Sequence, residues 1–136
     1  MKKLLLIAVA FVLSFAVKAQ SNYDSLIKVN QEKHDFGKIK QGVPVTYSFE
    51  IKNVTNKALV VSNTWASCGC TTPDKITQPI EPGATAKLKV QYNAAAMGTF
   101  NKDVYVQLAG MTQPKTLHIT GEVLTADAYN ALMKSN

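Results

Sequence analysis

The sequence predicts an all-β sandwich of about seven short strands with a short helical tail, on three observations. Apolar and polar residues alternate with period two in several stretches. Turn residues punctuate those stretches every ~8–12 residues, and no helical periodicity alternates with them. The alternation is clearest between Val43 and Lys52: Val43, Val45, Tyr47, Phe49 and Ile51 are apolar, while Thr46, Ser48, Glu50 and Lys52 are polar. That is the pattern of a strand with one buried and one wet face.

The other elements follow in order. Ser21–Ser25 is polar and reads as a loose lead-in, and Ile27 and Val29 mark a short edge strand over Leu26–Asn30. His34-Asp35-Phe36-Gly37-Lys38-Ile39 follows without a clear alternation, and Gln41-Gly42 marks a turn. After the polar turn Asn53–Lys57, Leu59–Thr64 resumes as a strand, and Ile76–Ile80, which contains a proline, is at best an edge piece. In Glu81-Pro82-Gly83, Pro presets φ at one corner and Gly accepts a positive φ at the next. Ala84–Tyr92, Phe100–Leu108 and Thr116–Val123 are three further alternating strands. Thr125 can cap a short helix over Ala126–Met133. The expected interior is Val45, Tyr47, Phe49, Ile51, Leu88, Val90, Val104, Val106, Leu117 and Ile119.

The first residues read as an export signal. Met1-Lys2-Lys3 is cationic, Leu4–Val17 is apolar apart from Ser14, and Val17-Lys18-Ala19 supplies a cleavage site before Gln20. The apolar run is shorter than the ~18 residues of a spanning helix, so no stable membrane insertion is expected once it is removed. The expected division is therefore a signal peptide over 1–19, a lead-in over 20–25, a sandwich over 26–124 and a tail over 125–136. The destination is periplasmic or extracellular. Three of the 15 lysines fall in the signal, leaving 12 against 9 carboxylates and a net charge of +3. There is no arginine, the side chain whose fork reads phosphate and guanine, so nucleic acid is not the expected partner.

An antibody-type domain bridges its two sheets through widely spaced cysteines around a buried Trp. Here the only cysteines, Cys68 and Cys70, are two residues apart and cannot do so. The order of Asp35-Phe36-Gly37, the Phe49–Asn53 strand end, Cys68-Gly69-Cys70-Thr71, Pro79-Ile80-Glu81-Pro82-Gly83, Gly98-Thr99-Phe100-Asn101-Lys102 and Ile119-Thr120-Gly121-Glu122-Val123 resembles the domain of unknown function 1573 family. The resemblance covers nearly the whole chain after the signal. It implies an exported bacterial protein with an immunoglobulin-like sandwich, nearer to abnormal-spindle/Hydin and sperm-protein-like domains than to antibodies. It implies no settled activity.

The stretch Trp65-Ala66-Ser67-Cys68-Gly69-Cys70-Thr71 holds both cysteines and the single tryptophan. Trp65, Cys68, Gly69, Cys70 and Thr71 are accordingly the candidate binding or redox loop. Residues i and i+2 lie at most ~7 Å apart, and a disulfide needs Cα atoms ~4.4–6.8 Å apart, so the pair closes only if the chain bends at Gly69. An extended loop would instead aim both thiols to one side, as a pincer. A three-residue ring stabilises a fold by about 1.6 kcal/mol in the chain-entropy model, so a bridge here shapes its loop more than it holds the domain. A reactive pair, a metal-binding pair and pairing between chains are the alternatives.

Thiolates suit Cu(I) or Zn, but further ligands are needed. His34, His118, Met97 and Met111 are the candidates, and none lies at ligand spacing from the cysteines. His118, on the polar side of its strand, reads as a solvated surface residue, and Met97 as an ordinary loop residue. No nucleophile elbow or Cys–His spacing points to catalysis, so neither an enzyme nor a resident cofactor is expected. The burial habit of tryptophan favours a core position for Trp65. Two functional readings result: a non-catalytic module that binds protein or glycan, or a thiol-redox or copper-handling protein acting through Cys68 and Cys70.

Overall fold

The computed structural model describes residues 22–136, so the expected signal peptide lies outside the described residues. Eight strands form two four-stranded sheets. The first has the order β1 (Ile27–Val29), β3 (Val45–Asn53), β6 (Thr85–Tyr92), β5 (Thr71–Pro73). The second has the order β2 (Lys33–Lys40), β8 (Lys115–Leu124), β7 (Gly98–Leu108), β4 (Val61–Ala66). Helix α1 (Ala126–Lys134) follows, and the Thr125 hydroxyl accepts from the Ala128 N–H at 3.2 Å as its cap.

The alternation that predicts the strands also builds the core. Phe49 faces Leu88 across the β3–β6 pair, and Val104 faces Leu117 across β7–β8. All four are fully buried, as are Ile51, Val90, Val106 and Ile119. Val45 and Tyr47, expected inside, are only half-buried. Both still pack against the core, Tyr47 edge-on to Phe49 with ring centroids 5.0 Å apart.

Two local expectations are corrected. The lead-in is not loose over its last residues: Tyr23–Ser25 forms a 3₁₀ turn, and buried Tyr23 donates to the Gln113 carbonyl at 2.6 Å. Ile76–Ile80 forms no strand, only a single bridge between Leu59 and Ile80, because Pro79 removes a ladder donor beside it. The edge strand beside β6 is instead β5, immediately after the cysteines.

Strand β2, which the alternation did not reveal, is paired in parallel with β8 and broken by a bulge between Asp35 and Lys38. Gly37 takes φ +66°, and its N–H is held by the Asp35 carboxylate at 3.0 Å. His34 and Phe36 turn toward the other sheet. Without the extra residue Lys38 would turn inward, whereas the bulge lets Ile39 take that place.

Buried Asn53 ties two turns to the end of β3. Its amide donates to the Lys57 and Ile80 carbonyls, each at 2.7 Å, and its side-chain oxygen accepts from Thr55. The Glu81-Pro82-Gly83 turn forms as expected, with Gly83 at φ +76°.

Candidate functional site

The cysteine loop is the crossing from one sheet to the other. It leaves β4, at the edge of the second sheet, and enters β5, at the edge of the first. The ends of this crossing are fixed by groups other than sulfur. The Ser67 N–H donates to the Asp103 carbonyl at 2.9 Å, and the Ser67 hydroxyl accepts from the Asp103 N–H at 3.1 Å. On the other side, the Asn93 N–H donates to the Cys70 carbonyl at 2.9 Å. The neighbouring Ala94 is fully buried at φ +54°, a strained corner for a residue with a side chain.

Cys68 and Cys70 are joined to each other, with Cα atoms 5.3 Å apart. Of the alternatives open in the sequence, the closed ring is the one formed, and a Thr71 N–H to Cys68 carbonyl contact of 3.3 Å completes its turn. Gly69 is needed for this less than expected. Its φ is not in the glycine-only range, and a Cβ there would meet nothing within 4 Å. What the glycine does is leave the outer side of the ring bare.

The two sulfurs differ in their surroundings. Cys70 packs against the core, and Cys68 is not among the residues that do so. Thr71 is buried, and its hydroxyl lies 3.6 Å from Cys68 Sγ and 3.8 Å from Cys70 Sγ. The neighbouring buried threonine, Thr64, instead donates to the Asp74 carbonyl at 2.7 Å.

Trp65 is not in the core. Thr64 takes the inward position on β4, so Trp65 turns to the outer face and stacks on Tyr105, with ring centroids 5.2 Å apart and planes 25° from parallel. The Tyr105 hydroxyl donates to Asp103 Oδ2 at 3.3 Å, and Asp103 Oδ1 lies 2.8 Å from His118 Nδ1. Partial burial and then the Asp103 carboxylate hold the Tyr105 phenol above its ordinary range. A row of Trp65, Tyr105, Asp103 and His118 thus runs across three strands beside the ring.

His118 is therefore half-exposed and paired, not simply solvated. Tyr105 and Asp103 were missed in the sequence, although the alternation of Val104, Val106 and Leu108 already puts them on the wet face.

The other proposed ligands are dispersed. His34 stacks face to face on Tyr47, with centroids 3.6 Å apart, and burial pushes its pKa below 6.5 against the pull of Asp35. Met111 rests partly against the core, and Met97 is exposed. Among the described residues, no group of three or more His, Cys, Asp or Glu side chains is arranged to hold a metal. The joined cysteines present no thiolate to one in this state.

Residues 27–123 match the model of a family described as protein of unknown function (DUF1573). The chain belongs to the DUF1573 family. No curated protein matches its sequence. Among solved structures, this DUF1573 chain is similar to a protein of unknown function from Porphyromonas gingivalis W83, with 16% identity and a TM-score of 0.62. That match covers 71% of this chain but only 46% of the other, so the chain spans about half its length. It is also similar to the ASH/PapD-like domain 7 of human CEP192, with 12% identity, a TM-score of 0.58, and 84% and 96% of the two chains covered. A third similarity is to the secreted serine protease VesC from Vibrio cholerae, with 14% identity and a TM-score of 0.60 over 77% of this chain and 25% of that one. At such identities the likeness establishes the fold: an immunoglobulin-like sandwich of the ASH/PapD-like kind.

Proposed function

We propose that this chain is an exported, non-catalytic interaction module, acting in the periplasm or outside the cell, that meets a protein or glycan through the face around Trp65. The observation that carries this reading is the Trp65–Tyr105 stack on the wet side of a sheet, beside a loop pinned at both ends. Large aromatics with a polar rim are the usual anchors of recognition surfaces, since they bury much area at small entropic cost. Asp103 and His118 supply that rim, with Asp103 Oδ1 2.8 Å from His118 Nδ1. Among the described residues no helix is long and apolar enough to cross a membrane.

Site-specific photo-crosslinking in the exporting cell tests the reading. A crosslinking residue at Trp65 or Tyr105 should capture one discrete species, and one at Lys87, on the outer face of the other sheet, should not. Equal capture at all three positions would refute the assignment of this face.

A further inference from the structure

We propose that the Cys68–Cys70 ring is an exchangeable disulfide that oxidises dithiols, with the Thr71 hydroxyl stabilising the thiolate released when it opens. The proposal is independent of the docking face assigned above. A buried hydroxyl ordinarily takes a strong acceptor, as Thr64 does, yet the side-chain contacts of Thr71 Oγ1 are the two sulfurs, at 3.6 and 3.8 Å. A disulfide sulfur is a weak acceptor and a thiolate a strong one. The hydroxyl therefore gains a better partner on reduction, which draws the equilibrium toward the open form.

The surroundings point the same way. A ring with one residue between its cysteines contributes little to holding the native chain together, so little opposes its opening. Ser67 and Asn93 keep the ends of the crossing in place without the bridge. Gly69 is exposed and adds no side chain over the two half-buried cysteines. Disulfides that an attacking thiolate can reach exchange more readily than fully buried structural ones, and Cys68 is half-buried and off the core.

A thiolate of a dithiol partner attacks Cys68 Sγ, the sulfur that does not pack against the core. A partner–Cys68 bond forms and the Cys68–Cys70 bond breaks, its electron pair passing to Cys70 Sγ, to which Thr71 donates. The partner's second thiolate then attacks its own sulfur in the mixed disulfide and releases Cys68 as a thiolate, and both cysteines take protons from water. The partner loses two electrons and two protons and becomes a disulfide, and the ring gains them, once per chain.

The test equilibrates purified protein with graded mixtures of reduced and oxidised glutathione, followed by acid quenching, alkylation and mass spectrometry. Wild type should be half-reduced within the glutathione range. Thr71→Val should move the midpoint about fivefold toward more reducing mixtures, the size of one net hydrogen bond, while Thr71→Ser stays close to wild type. The trapped glutathione adduct of wild type should map to Cys68. A ring that resists every glutathione mixture, or an unmoved midpoint in folded Thr71→Val, would overturn the proposal. Should the valine variant fail to fold, adduct mapping on wild type decides: Cys68 supports the proposal and Cys70 defeats it.

Discussion

The two sheets share a core but differ on their outer faces. On the first sheet, Thr46, Ser48, Glu50 and Lys52 of β3 lie opposite Gln91, Lys89, Lys87 and Thr85 of β6. Nearly all of these are exposed, and the ion pair beside them, Lys89–Asp74 at 3.7 Å, is too wet to contribute much. On the second sheet the same alternation places Trp65, Tyr105, Asp103, Thr116 and His118 outward, and these shield one another to half-burial. One face is built for solubility, and the other holds aromatic area against water that a plain solvated face would not. The contrast shows that a period of two assigns a side chain to a face without saying what that face is for.

The largest effect should come from the layer both sheets share. Phe49→Ala should cost about 3–5 kcal/mol in urea unfolding, from lost burial and the cavity left between the sheets. Lys87→Ala, on the solvated face, should stay within about 0.5 kcal/mol. Equal losses would mean that the inner and outer faces of β3 and β6 are interchanged.

The crossing between the sheets comes next. Replacing both Cys68 and Cys70 with Ser should cost no more than about 2 kcal/mol, because so short a ring constrains few unfolded conformations. Global unfolding of that variant by circular dichroism would make the loop part of the core and end its separation from the rest of the fold.

The contrast between the outer faces can then be measured directly. Trp65→Ala should lose about 1 kcal/mol, the order of a stacked aromatic pair, whereas Lys89→Ala should lose almost nothing. Indistinguishable stabilities for the two variants would make the stack energetically idle.

The smallest effect concerns His34, which reaches from β2 to Tyr47 across the gap between the sheets. Because its pKa is lowered on folding, the unfolded chain binds the proton more readily. Its contribution is therefore complete above the ordinary imidazole value of 6.5 and is lost as pH falls through the depressed folded value. Melting curves at pH 7.5 and 5 should show a smaller acid-induced loss in His34→Gln than in wild type. An identical loss would remove His34 from the contacts that join the sheets.

By itself the sequence determined those features whose causes are local. Alternation places Phe49, Leu88, Val104 and Leu117 in the core because successive side chains of a strand point to opposite faces. Gly83 at its positive φ and Thr125 at its cap follow from conformational freedom and hydrogen-bonding reach within a few residues. The two-residue spacing of the cysteines confines any intramolecular bridge to its own loop. Only the tertiary structure decided what depends on distant chain. Strand β2 escaped the alternation because its bulge resets the period and its partner is β8, more than eighty residues further on. Trp65 is outward because β4 shifts register against β7 between Val61 and Asn63, which turns Thr64 inward, where its hydroxyl meets the Asp74 carbonyl. Asp103 and His118 meet only through the β7–β8 register. The face beside the ring is thus assembled from strands that become neighbours only when their inner sides are buried together, and neighbours of that kind leave no period in the chain.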